Sequence, residues 1–169
     1  MKPILSIILI CLLTGCSANI KLFSDTPDQH IISRANAYVG MSERKNRKEL
    51  RSLINVDPVS TEWCAAFVNS ILELENIEGS GTVHHNPLLA RSFLSWGQTI
   101  PRNAIQPGDI VVFPRGSTGW QGHVGFYYGL TKEGNWVILS GNYNDKVSYA
   151  VFRPTYAIGI RRANKKSNP

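Results

Sequence analysis

Apolar side chains recur at helical spacing through the first half of this chain, then alternate or run together through the second. That change of period predicts helices first and a sheet after them. Thr26-Pro27-Asp28-Gln29 reads as a helix start, with Thr26 as cap, Pro27 at the first position and Gln29 closing a capping box. Ile31, Ile32, Ala35, Tyr38 and Val39 form its apolar face, and Gly40 ends it. A second amphipathic helix over residues 47–55 turns Leu50, Leu53 and Ile54 inward and breaks at Asp57-Pro58. A third runs from a Thr61 cap to about residue 75, with Ala66, Phe67, Ser70, Ile71 and Leu74 in step. After the loop opened by Gly79-Ser80-Gly81, residues 88–96 make a short helix with Leu89, Phe93 and Trp96 inward.

The second half supplies five strands. Ile110-Val111-Val112-Phe113 is a buried strand between the turn at Pro107-Gly108 and Pro114. A glycine-rich loop over residues 115–122 leads into a strand from His123 to Tyr128. The turn Lys132-Glu133-Gly134-Asn135 returns it as Trp136-Val137-Ile138-Leu139, and residues 147–152 and 156–160 complete the sheet. The expected architecture is α+β, with N-terminal helices packed on a five-stranded, largely antiparallel sheet.

Composition adds a compartment. Met1-Lys2-Pro3 and the apolar run 4–13 have the charged and hydrophobic regions of a secretory signal, too short to span a bilayer. Leu13-Thr14-Gly15-Cys16 resembles a bacterial lipobox, which implies cleavage before Cys16 and acylation of that residue. Multiple acyl chains anchor stably. Ser17 after the cysteine resembles the sorting signal of outer-membrane lipoproteins, so the expected location is the periplasmic face of the outer membrane. The chain thus divides into a signal peptide over 1–15, a lipidated cysteine and tether over 16–25, one domain over 26–162 and a loose basic tail over 163–169. The tether spans at most roughly 30 Å when extended. The formal charge of +6 suits an anionic polymer or membrane surface. Nucleic acid is not expected, because export separates the protein from it and the basic residues are scattered. A monomer is expected.

Of the three cysteines, Cys11 leaves with the signal and Cys16 carries lipid, so Cys64 is a lone thiol. Its place in a first helical turn exposes it to unsatisfied N–H groups and the positive end of the helix dipole, which favour thiolate. Taken alone, such a cysteine is as often an ordinary buried residue. Two further residues bear on the choice. His123 opens a strand, and Asn142 follows the neighbouring strand of the same hairpin, so pairing across the 132–135 turn brings the two close. A thiol, an imidazole to take and return its proton, and a polar group to hold the imidazole are what cysteine hydrolysis requires. Trp63, Trp120, Gln121 and Ser140 are candidates for a substrate groove. His84-His85 lies in a loop with no Cys, Asp or Glu cluster beside it, and reads as surface rather than metal site. No metal or cofactor is expected.

Five blocks carry a resemblance: residues 62–69 (Glu62-Trp63-Cys64-Ala65-Ala66-Phe67-Val68-Asn69), Ala90-Arg91-Ser92 through Trp96-Gly97, Pro107-Gly108-Asp109 through Phe113, Trp120-Gln121-Gly122-His123-Val124-Gly125, and Ser140-Gly141-Asn142. In this order they resemble the CHAP and NlpC-type papain-like cysteine peptidases. The resemblance implies Cys64 as nucleophile, His123 as general base and then acid, and Asn142 as the orienting residue. It also implies hydrolysis of an amide bond in the peptide part of peptidoglycan. Ser140 stands where that pattern has glycine and where some CHAP enzymes carry Glu, which makes it a second candidate, behind Asn142, to orient the base; the loop around Val83-His84-His85-Asn86 is longer than usual. The alternative is an envelope lipoprotein that grips peptidoglycan or a partner without cutting, as part of a secretion or conjugation apparatus.

Overall fold

A computed structural model describes residues 27–164. The expected signal, Cys16, the tether, the Thr26 cap and the tail beyond Asn164 lie outside the described residues. Three helices come first: α1 (Pro27–Asn36), α2 (Arg47–Ile54) and α3 (Cys64–Leu74). Six strands follow: β1 (Gln98–Thr99), β2 (Ile110–Pro114), β3 (Gly122–Leu130), β4 (Trp136–Ser140), β5 (Ser148–Phe152) and β6 (Gly159–Arg162). They form one sheet in the order β1-β6-β2-β3-β4-β5, with every pair antiparallel. The α+β architecture is as the sequence predicts. The sixth strand is β1, two residues that pair with β6, too short to leave a hydrophobic period.

Helix α3 is the spine. Ala65, Phe67, Val68, Ile71 and Leu72 have no exposed surface, and removing each large apolar side chain from water contributes about 1.5–3 kcal/mol. They pack with Ile31, Leu50 and Ile54 from α1 and α2 on Ile110, Val112, Val124, Phe126 and Leu139 of the sheet. Strand alternation sends Val111, Phe113, Tyr127, Ile138 and Ile160 to the other face, where they join Trp136 and Ala157 in a second apolar cluster.

Two local expectations change. Helix α3 has Trp63 rather than Thr61 at its cap position, and no side chain caps it. The buried Trp63 ring, edge-on to Phe67, fixes the start by packing instead. The segment predicted as a helix over 88–96 is a 3-10 turn, Ala90–Ser95, whose end is tied down by Trp96 Nε1 donating to the Glu78 carbonyl at 2.8 Å.

The loop before it is fastened to α3. Asn69 accepts from the Ser80 backbone N–H at 2.8 Å and donates to the Pro87 carbonyl at 2.9 Å, while Ser92 donates to Ser80 at 2.7 Å. This bracing sets Leu88, Leu89 and Ala90 beside the N-terminus of α3.

Candidate active site

Cys64 opens α3 and is 3% exposed. Its sulfur accepts from the backbone N–H groups of Val124 and Ala65. The Val124 contact sets the thiol beside the His123–Val124 peptide of β3. Burial pushes the thiol's pKa up, and the two N–H groups and Arg115 pull it back. Desolvation therefore outweighs the helix start, and the sulfur rests as a thiol rather than the thiolate that its position in sequence suggests.

His123 is buried as well, 6% exposed, and its pKa is lowered to about 4 by that burial, with Arg115 adding to the effect. The ring stacks on Phe152, centroid to centroid 6.0 Å, and leans on Tyr143 at 5.8 Å. Its Nε2 lies 2.9 Å from Ser140 Oγ. With Nε2–H given to Ser140, Nδ1 keeps a free lone pair, which is the tautomer a base needs.

The expected contact between Asn142 and the imidazole is not made. Asn142 sits in the left-handed region, φ +55°, and its amide donates to Glu62 Oε2 at 2.9 Å. Register explains the exchange. Phe126 pairs with Leu139 and Tyr127 with Ile138, and a bulge between Tyr127 and Gly129 lets Gly129 pair with Val137. Extending that register sets Ser140 across from Gly125 and diagonal to His123 on one face. A side chain on Gly125 would meet Ser140 Cβ at 2.7 Å, so the glycine leaves the space through which imidazole and hydroxyl touch.

A cleft of about 170 Å³ opens at Cys64 between Glu62 and Arg115 on one side and Leu88, Leu89 and Ala90 on the other. Trp120, 60% exposed, and Gln121 line it. Arg91 Nε donates to the Gln121 carbonyl at 2.7 Å and holds the end of the glycine-rich loop. Trp63 is not in the groove: it has no exposed surface and packs beneath Gly141. Ser140 is fully buried at the imidazole rather than on the cleft wall. Glu62 and Arg115, absent from the sequence-based candidates, form an ion pair at the cleft mouth. Glu62 stands two residues before the nucleophile, the one positional signal that could have drawn attention to it. His84 and His85 stack at 4.6 Å, and His84 Nδ1 accepts from the Asn86 backbone N–H. Among the described residues no cluster of His, Cys, Asp and Glu could hold a metal.

A helix-borne cysteine set against β3 of an antiparallel sheet defines a papain-like α+β protein. The chain belongs to the CHAP domain family, which it matches over residues 56–142, just over half its length. Three solved structures share the fold. An NlpC/P60 family protein from Bacillus cereus ATCC 10987 is 15% identical, with a TM-score of 0.50, covering 80% of this chain and 40% of that one. The resuscitation promoting factor interacting protein RipA, mutated at H432, is 17% identical, with a TM-score of 0.53, covering 81% and 62%. NlpC1 from Trichomonas vaginalis is 21% identical, with a TM-score of 0.51, covering 85% and 46%. The chain thus spans less than two thirds of each of these structures. No curated protein matches it.

Proposed function

We propose that this protein is a lipid-anchored cysteine hydrolase of the cell envelope that cleaves an amide bond in peptidoglycan peptides. The observation that carries the reading is the buried His123–Ser140 hydrogen bond beside a sulfur that accepts from the next residue's N–H. Membership of the CHAP family supports it. Cys64 is the nucleophile, His123 the base and then the acid, and Ser140 the residue that orients the imidazole.

Both groups are neutral at rest, so the proton moves as the bond forms. Nδ1 of His123 takes the proton of Sγ while sulfur attacks the amide carbonyl carbon. The backbone N–H of Cys64, at the start of α3, donates to the oxyanion. The imidazolium then protonates the leaving nitrogen, the C–N bond breaks, and an acyl thioester remains on Cys64. Water attacks the thioester, giving its proton to His123, and the thiol is restored as the carboxylic acid leaves. Nε2–H stays on Ser140 throughout.

Incubation of purified muropeptides with the soluble domain, followed by mass analysis, tests this reading. New fragments that fail to form with Cys64→Ser are expected, and their masses identify the bond cut. Identical profiles for the two proteins would leave a binding module of the envelope in its place.

A further inference from the structure

Two aromatic rings shut His123 in, and nothing in the proposed reaction uses them. Phe152 closes β5, and its ring stacks on the imidazole at 6.0 Å, 21° from parallel. Tyr143, in the loop between β4 and β5, meets the imidazole at 5.8 Å and stands edge-on to Phe152, also at 5.8 Å. His123 is buried, whereas Phe152 and Tyr143 are only partly so, which makes the two rings the layer between imidazole and water. The Phe152 contact does not follow from a ladder. Strands β3 and β4 lie between β2 and β5 in the sheet, and Phe152 pairs with Trp136, at the far end of β4 from Ser140. Its ring reaches His123 across the face of the sheet opposite the helices, resting on Phe113 at 4.2 Å and 18° from parallel. Phe113 is itself the ladder partner of His123. Tyr143 is held by its backbone: its carbonyl accepts from Ser148 Oγ at 3.0 Å, and its N–H donates to the Lys146 carbonyl at 3.1 Å.

We propose that Phe152 and Tyr143 are positioning residues: they cover the imidazole, fix its plane so that Nε2 meets Ser140, and exclude water, so that His123 remains an uncharged base in acid. The role of base rests on the hydrolase reading, and the cover stands on the packing alone. The titratable and charged groups around the ring are Arg115 after β2, paired with Glu62; Cys64 on α3, a thiol at rest; the Tyr143 phenol; and Arg153 beyond Phe152, whose guanidinium lies over Tyr156 at 6.0 Å. Arg115 disfavours the imidazolium, but burial does so more strongly. Exclusion of water is therefore the larger effect, and the partly exposed rings are where it can be undone. Stacking adds the orientation, because a flat ring seated between Phe113 and the imidazole limits rotation of the imidazole about its own axis.

The test is an NMR titration of the histidine ring signals in residues 16–169 carrying Cys16→Ser, with the His123 signal assigned by its loss in His123→Gln. Circular dichroism marks the pH range over which each variant stays folded. In the parent the His123 ring should stay neutral down to about pH 4. In Phe152→Ala, which opens the ring to water, the midpoint should rise by about one pH unit or more. Phe152→Tyr keeps the ring and should restore the parent value. Val151→Ala, next along β5 and exposed, is the control and should shift nothing. If Phe152→Ala does not fold, Tyr143→Ala opens the other half of the cover from a loop, and its midpoint should rise in the same direction. An unmoved midpoint in the folded alanine variant, or an equal rise in Val151→Ala, would overturn the assignment. The titration needs no turnover, so the hydrolase reading is scored apart. Where muropeptides are cut, the acid limb of kcat/KM should rise with the midpoint. Cleavage with an unmoved midpoint removes the cover and keeps the enzyme, whereas a moved midpoint without cleavage does the reverse.

Discussion

His123 occupies a dry site, and its chemistry follows from that. Its pKa of about 4 lies below the ordinary value of 6.5 because burial penalises the imidazolium. Between those values the unfolded chain binds a proton that the folded chain refuses, so this contribution to stability is present above pH 6.5 and lost as pH falls toward 4. The loss amounts to about 3 kcal/mol. Urea unfolding at pH 7 and pH 4 should show it in the wild type, and His123→Gln should be less sensitive to acid by that margin. The same shift places the acid limb of kcat/KM near pH 4 rather than 6.5. Ser140 and Asn142 separate by mutation. Ser140→Ala strips Nε2 of its partner and should lower kcat about tenfold to a hundredfold. Asn142→Gly, suited to the positive φ, should cost several times less. A larger loss in the second variant would return the orienting role to Asn142. Cys64 and His123 stand out in the sequence because few residue types can serve as nucleophile and base. Ser140 stands only second to Asn142 as the orienting residue, since a serine in an apolar strand carries little sign of what faces it.

What turns Ser140 toward His123 is a property of the hairpin. Carrying the Leu130–Trp136 and Gly129–Val137 pairs straight back from the Lys132–Asn135 turn would pair Phe126 with Ser140, which aims the serine away from the face of His123. The bulge between Tyr127 and Gly129 shifts the pairing, and a one-residue slip turns every side chain to the opposite face. Such a slip lies in backbone geometry, and Tyr128-Gly129 hints at it only weakly. The elements themselves were legible: α2 and α3 from apolar spacing, β2 to β5 from alternation and turns. The segment over 90–95 misled because its apolar positions suit a 3-10 turn as well as an α-helix. Docking of α3 on the sheet depends on Gly141, where a Cβ would lie 2.6 Å from both Phe67 Cβ and the Trp63 ring. Gly141→Ala should force α3 away from the end of β4 at a cost of about 2 kcal/mol. Urea unfolding measures that cost, and activity should fall further than stability alone explains because Cys64 moves with α3. An unshifted midpoint would mean the junction is looser than its packing.

At the scale of the molecule, one candidate chemical centre is carried on a domain that we propose is tethered to a membrane. If Cys16 is acylated, Cys16→Ser should move the protein from the membrane fraction to the soluble fraction and leave muropeptide cleavage intact. Retention on the membrane would mean another anchor. The formal charge of +6 favours approach to an acidic polymer. The braced loop from Ser80 to Pro87 has a consequence of its own. Because Asn69 and Ser92 rivet it to the body, the wall that it carries cannot swing aside to admit a thicker guest. A crevice held at that bore should pass a single slack strand down to the sulfur and turn away a branched or taut one. Inhibitors would have to obey the same calibre, so a slim electrophile on a narrow stem should reach Cys64 where a bulky one stalls at the rim.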